Sequence, residues 1–477
     1  MQNLKASAAM QRSVLCSLQK PMQKTLFLTT RHASTPAFTP LSASLGHVST
    51  PTRPQARLPM SVLSLTSVMR SYFIMSLSSR PLILAASTNL LRRSLEAKPL
   101  WLFDVDRNPL LRWLLRHTFY AQFCTGESPE QNRLCTEQLR QMGYSGVIME
   151  YAKEVLDDTG DKIAAESVEE EEANVVAWRD GLLATIRICE KGDFVGLKWS
   201  GMGGAAHRLL KTNQPPSPFM VAAMTAVCDA ATAAEVKLLP AAEPQNAQAS
   251  VDAWTLRMSK TYNKMRPGYA VLYNTYQTYL KSTAATLAKH LDTADKQDFT
   301  LGIKLVRGAY LHSETRHLIW DTKEETDRSY DGLASDLILS RYGVSLKSMA
   351  GSSGQLPPIN MMIASHNDAS VRMVRRIRDE QLAQGRVLVP LVYAQLYGMA
   401  DEVSCELLQK EESNEVTSTM ETPKIFKCAT WGSMKDCLNY LLRRAAENKD
   451  ALERTRETRD AMRLEIWRRA KAVVGID

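Results

Sequence analysis

Acidic residues are missing from the first 95 positions; the first of the 51 carboxylates is Glu96. The same stretch holds 11 of the 59 lysines and arginines, so the rest of the chain has 48 basic residues against 51 acidic ones. Its net charge is −3, where the whole chain carries +8. The basic balance therefore belongs to the N-terminal segment, and charge gives no support to nucleic-acid binding by the folded part. No CxxC pair occurs among the eight cysteines, and no HxxxH or HExxH among the eight histidines. These absences remove the common zinc spacings, so no metal site is expected, and they point to reduced, mostly buried thiols. Long apolar runs are missing too. Residues 61–91 are fairly apolar, but Arg70, Arg80 and Pro81 interrupt them. The uncharged pieces fall far short of the ~20 residues that a spanning helix needs.

What is present is the composition of a globular protein, 44% hydrophobic and 23% charged over 477 residues, enough to bury a sizeable core. The N-terminal segment begins MQNLKASAAMQRSVLCSLQKPMQKTLFLTTRHAST. Ser, Thr, Ala and spaced cations without acids are the signature of a mitochondrial transit peptide, here over residues 1–45. A linker and helical segment over 46–104 follows, able to pack on the main domain or touch a membrane surface. The main domain is expected over 105–477.

Helices are expected over 109–128 and 129–142. Beyond them, eight short apolar runs alternate with helical stretches: 144–150, 194–200, 236–242, 269–277, 301–309, 359–367, 386–398 and 424–432. Helical segments over 218–234, 252–266, 278–292, 369–384 and 399–411 lie between them. Alternation of this kind implies a parallel sheet, and nearly continuous apolar runs suit strands buried on both faces. Eight units in about 300 residues fit a (βα)8 barrel. The rival, an open doubly wound sheet, usually brings a Gly-rich first turn. No GxGxxG occurs, and the nearest sequence is Gly201-Met-Gly-Gly. The acid-rich stretch 155–174 and the polar stretch 410–424 read as surface connectors.

In such a barrel the site lies at the C-terminal strand ends. Lys198 follows the second run, Glu243 the third, and Gln277 ends the fourth. Lys304 and Arg307 sit on the fifth, with Tyr310 beyond; Ser365, His366 and Asn367 end the sixth; Gln395 lies in the seventh. Cations and amides at nearly every strand end describe a positive mouth suited to an anion. After the eighth run comes YLLRRAAEN, 440–448. At ~100° per residue, Leu438, Leu441, Leu442 and Ala445 form an apolar stripe, with Tyr440, Arg443, Arg444 and Glu447 opposite.

LGIKLVRGAYLHSE (301–314), ASHN (364–367), YAQLYGM (393–399) and YLLRRAAEN closely resemble the proline dehydrogenase family, in particular its fungal mitochondrial members. FYAQFCTGE (119–127), FVGLKWSGMG (194–203) and NTYQTYLK (274–281) add to the match, in order and spacing over about residues 105–472. The resemblance implies a distorted α/β (βα)8 TIM-type barrel with N-terminal helices and noncovalent FAD. It also implies oxidation of L-proline to 1-pyrroline-5-carboxylate, with ubiquinone as electron acceptor at the matrix side of the mitochondrial inner membrane. By position, Arg443 and Arg444 match a pair that holds the substrate carboxylate, and Lys198 a third cation there. Tyr440 and Leu396 would wall the ring, and Glu154 would pair with an arginine and close the site. Gln277, Lys304, Arg307, Ser365, His366 and Glu447 would contact FAD. A guanidinium pair suits a planar carboxylate in any case, because the fork matches its two oxygens.

Three positions depart from the family pattern. Lys304 stands where many relatives have arginine, which keeps the charge and loses the fork. The end of the third strand reads Ala241-Ala242-Glu243 where Asp-Ala-Glu is frequent. Cys428 stands where many relatives have the tyrosine that packs by the proline ring, and a smaller residue is expected to admit ring-substituted prolines. Two other readings stay open on the residues: a non-catalytic relative that keeps the fold, and a flavin barrel acting on another anion.

Overall fold

The computed structural model describes residues 59–95, 104–152, 167–349, 355–409, 421–447 and 452–475. The segment expected to be a transit peptide, and Glu154, lie outside the described residues.

Helices α1 (Leu65–Ser78), α2 (Pro81–Ser94), α3 (Pro109–Leu115), α4 (Ala121–Phe123) and α5 (Pro129–Gln141) precede the sheet, with one π-helical turn over Arg116–Tyr120. Then come β1 (Gly146–Tyr151), α6 (Val168–Ile188), β2 (Phe194–Leu197), α7 (Gly204–Lys211), α8 (Pro218–Ala233), β3 (Lys237–Pro240) and α9 (Gln245–Tyr262). Next are β4 (Tyr273–Gln277), α10 (Thr283–Gln297), β5 (Leu301–Val306), α11 (Lys323–Ile338), β6 (Ile359–Ala364) and α12 (Asp368–Ala383). The chain ends with β7 (Leu391–Leu396), α13 (Asp401–Leu408), β8 (Ile425–Trp431), α14 (Met434–Glu447) and α15 (Leu452–Val474). All eight expected strands form, shorter than the expected runs, with β1 reaching one residue further, to Tyr151.

The strands pair in parallel in the order β3-β2-β1-β8-β7-β6-β5-β4. Between β3 and β4 a single bridge, Leu238 to Leu272, continues the ring, and Leu238 N donates to Val271 O at 2.7 Å. The result is a nearly closed (βα)8 barrel. At this seam one bridge replaces a full ladder. Period-2 alternation sorts the side chains. Ile148, Phe194, Leu239, Ala270, Tyr273, Met362, Val392, Ala394 and Phe426 fill the barrel interior. Phe194 meets Phe426 edge-on at 5.1 Å and Tyr273 at 5.4 Å, the arrangement favoured by the ring quadrupole. Outward-facing Leu301, Ile303, Leu305, Met361 and Ile363 pack under the helices.

One expected connector is helical in part. Residues 168–174 are the first turns of α6, where Ser167 and Glu170 form a reciprocal capping box and Glu169, Glu170 and Glu171 fill the first turn. The acids that suggested a solvated loop are there because carboxylates suit the positive end of a helix. Helix α9 begins at Gln245, earlier than periodicity indicates, directly after Pro244.

Helix α1 packs along α15 and α13 through Val68, Met462 and Cys405, and Arg469 Nη2 donates to Met60 O and Leu63 O. Its outer side leaves Leu65, Met69 and Phe73 exposed at four-residue spacing. Among the described residues no helix is long and apolar enough to cross a membrane.

Candidate active site

A cavity of about 1150 Å³ opens at the C-terminal ends of the strands. Its lining draws on every strand: Glu150 of β1, Lys198 after β2, Ala241 and Ala242 after β3, and Gln277 of β4. Lys304 and Arg307 come from β5 and its end, Ser365 and His366 follow β6, Leu396 ends β7, and Cys428 belongs to β8. Tyr440 reaches in from α14. Lys304 points inward because Ile303 and Leu305 beside it are fully buried under the helices.

Along one side the polar groups are tied to the scaffold. Arg307 Nε donates to Asp327 Oδ1 at 2.7 Å, and its two terminal nitrogens donate to Ser365 Oγ and Ser370 Oγ, each at 2.8 Å. The guanidinium also lies 4.4 Å from the Tyr330 ring centroid. The side chain is thus fixed in plane at the cavity wall. His366 Nε2 accepts from Leu396 N at 3.0 Å, which puts the proton of a neutral ring on Nδ1. Gln277 spans three elements: Nε2 donates to Glu243 O at 3.2 Å, and Oε1 accepts from Ala309 N at 3.0 Å. Behind it Asp252 accepts from Gln248 Nε2 at 2.7 Å and Asn274 Nδ2 at 2.9 Å. Burial raises the Asp252 carboxyl to about 6 against the opposing pull of those two amides.

The other side is smaller in scale. Tyr440 Oη donates to Glu150 Oε2 at 2.7 Å. Burial, and then the charge of Glu150, push the Cys428 thiol well above the usual thiol range, so it is neutral. Lys198 follows β2 directly, and its carbonyl accepts from Trp178 Nε1 at 2.9 Å. Leu396 is 38% exposed at the mouth.

The structure thus brings together Lys198, Gln277, Lys304, Arg307, Ser365, His366, Leu396, Cys428 and Tyr440 around one space. Arg443 lies one turn beyond Tyr440 on α14, half-buried, and is not among the lining residues. The side chains of Arg444 and Glu447 lie outside the described set. Glu150 was missed in the sequence, although the strand-end rule that finds Lys198 and Gln277 finds it equally when applied to YSGVIME. Tyr310, whose hydroxyl donates to Ala242 O at 2.9 Å, also lines the cavity.

The volume exceeds the ~300–1,000 Å³ of ordinary small-ligand pockets. Arg316 and Lys323 add further cations to the lining, and Asn367, Asp368 and Ala369 present the N-terminal turn of α12. Cations beside a helix N-terminus suit phosphate groups. The donor set therefore fits a dinucleotide-sized cofactor with an anionic end.

A parallel (βα)8 barrel with one large, cation-lined cavity at its C-terminal mouth defines a TIM-type binding site. A family model described as Proline dehydrogenase matches residues 135–457, and the chain belongs to that family. A probable mitochondrial proline dehydrogenase of Schizosaccharomyces pombe is 26% identical, over 85% of this chain and 89% of the relative. A hydroxyproline dehydrogenase of Mus musculus is 27% identical, over 75% and 82%. Among solved structures, proline utilization A (PutA) from Bdellovibrio bacteriovorus, inactivated by N-propargylglycine, superposes with a TM-score of 0.57 at 14% identity. The match covers 81% of this chain and 39% of that one, so the likeness is to about two-fifths of the PutA chain and concerns the fold.

Proposed function

We propose that this protein is an FAD-dependent proline dehydrogenase that oxidises L-proline to 1-pyrroline-5-carboxylate and passes the electrons to ubiquinone. The observation that carries this reading is the convergence of Lys198, Gln277, Lys304, Arg307, His366 and Tyr440 on one cavity in a chain of this family. The reaction removes two electrons and two protons: a hydride from the ring carbon next to nitrogen, and the proton of the amine. A bound flavin supplies the two-electron acceptor, which side chains alone do not offer.

The protein's task is placement. Arg443 and Arg444 grip the substrate carboxylate with paired guanidinium donors, and Lys198 adds a third cation. Glu154 pairs with one of the arginines and closes the site. Tyr440, Leu396 and Cys428 wall the ring, so that fixing the carboxylate fixes the reacting carbon. Gln277, Lys304, Arg307, Ser365, His366 and Glu447 hold FAD, with Lys304 favouring negative charge gained on reduction. The Arg307 guanidinium is suited to this because Asp327, Ser365 and Ser370 hold it before any ligand arrives.

The names of the fungal, Dictyostelium discoideum and Caenorhabditis elegans relatives include mitochondrial proteins. We place this chain in the mitochondrion, at the matrix side of the inner membrane. Attachment there is peripheral, through an exposed apolar stripe such as Leu65, Met69 and Phe73 of α1.

The test is direct. The purified protein should show a flavin spectrum that bleaches when L-proline is added without oxygen. A colourless protein, or a flavin that does not respond, overturns the reading.

A further inference from the structure

Glu150 is the penultimate residue of β1, at the point where three elements meet. On one side stands β2, whose Gly196 is its register partner. A Cβ at 196 would lie 2.6 Å from Glu150 Cγ and 2.9 Å from Oε1, so the glycine is what admits the carboxylate. On the other side stands β8, which carries the small Cys428 in the same cavity lining. Above is α14, from which Tyr440 donates at 2.7 Å. Among the described residues no cation forms an ion pair with Glu150, so the phenol is its strongest described partner.

Helix α14 does not depend on this bond for its place. Met434, Cys437 and Leu438 are buried against Leu115, Tyr120, Cys124 and Ala152, and Met434 N donates to Glu127 Oε1 at 2.9 Å. The Glu150 bond acts on the phenol of Tyr440, a residue of the cavity lining. Resting on the proposed reaction, we infer that Glu150 is the positioning residue that pins Tyr440 as the wall of the substrate ring. Charge-assisted hydrogen bonds are the stronger kind, and one to an ionised acceptor resists rotation of a phenol better than water does.

The role makes substrate binding, more than turnover, depend on Glu150. Kinetics with L-proline on the flavin-loaded enzyme test it in four variants: Glu150→Ala, Glu150→Gln, Tyr440→Phe and the Glu150→Ala/Tyr440→Phe pair. Glu150→Ala should raise KM about tenfold, with kcat changed by less than about threefold, the loss expected for one hydrogen bond to a charged group. Glu150→Gln keeps an oxygen acceptor at the same reach and should restore KM to within about threefold of wild type. The double variant should be no worse than Tyr440→Phe alone, because both remove the same bond. Thermal midpoints of the variants report folding separately. A wild-type KM in Glu150→Ala, a failure of Gln to rescue, or additive losses in the double variant each overturn the inference. A wild-type flavin that does not bleach with L-proline tells instead against the reaction on which the inference rests.

Discussion

Gly196 and Glu150 face each other across the β1–β2 pair, and the missing Cβ of one is the space filled by the other. The near contact is at Glu150 Cγ, close to the backbone, so the side chain cannot evade it by moving only its tip. Gly196→Ala should therefore turn Glu150 to another rotamer and cost about 1–3 kcal/mol, the usual range for overpacking. KM for proline should rise in the same direction as in Glu150→Ala. Truncating Glu150 in the Gly196→Ala background removes the clash. The stability cost of the alanine, measured by denaturant unfolding, should then largely vanish; a cost that persists would locate the strain elsewhere.

Cys428 sets the second prediction. It lines the cavity on β8, next to the Glu150 carboxylate. With a thiol where a phenol would stand, the wild-type enzyme should oxidise 4-hydroxyproline as well as proline. Cys428→Tyr fills that space and should lower the 4-hydroxyproline to proline ratio of kcat/KM by about 10–200-fold, the span that pocket shape alone can supply. Equal ratios in the two proteins would show that the ring substituent points away from Cys428.

The barrel was legible because buried parallel strands write themselves as apolar runs, and each of the eight expected runs overlaps an observed strand. The polar strand ends at Lys198, Gln277, Lys304 and His366 were legible for the same reason: they interrupt those runs where an apolar residue would otherwise serve. The contacts that organise them were not. Nothing local in the sequence joins Tyr440 to Glu150, 290 positions away, and a glycine inside an apolar run does not reveal which side chain needs its space. The acids 169–171 misled because composition alone cannot separate a solvated loop from a helix N-terminus; the Ser167–Glu170 pair is the local signal that does.

Lys427 gives a prediction about the scaffold. Between inward-facing Phe426 and Cys428 it points outward, is 1% exposed, and donates to Asp401 Oδ1 at 2.8 Å and Met399 O at 3.0 Å. Removing one partner of a buried pair strands the other charge. Lys427→Ala should cost about 3–5 kcal/mol, and Lys427→Met a comparable amount despite its better packing, because Asp401 is left uncompensated in both. Lys427→Met/Asp401→Asn should recover part of the loss. Unfolding midpoints in denaturant check this; equal stability of Lys427→Met and wild type would mean that Asp401 finds another cation.

Asp252 predicts a pH dependence. Its carboxyl is raised to about 6 by burial, with Gln248 and Asn274 only partly opposing the shift. In the unfolded chain it titrates near 3.9. Between those values the folded state holds a proton that the unfolded state has released, so stability falls as pH rises. The contribution is complete below the unfolded value and gone above about 6, and it amounts to roughly 2–3 kcal/mol. Asp252→Asn keeps an oxygen toward the two amides and has no carboxyl to ionise. Relative to wild type it should therefore gain stability progressively from pH 4.5 to pH 7, and then change no further. Parallel thermal melts of the two proteins across that range isolate the effect from other acid-sensitive groups, and a constant difference between them would sink it. Because Gln248 Oε1 also accepts from Glu243 N, and Gln277 donates to Glu243 O, the same titration acts on the wall of the cavity.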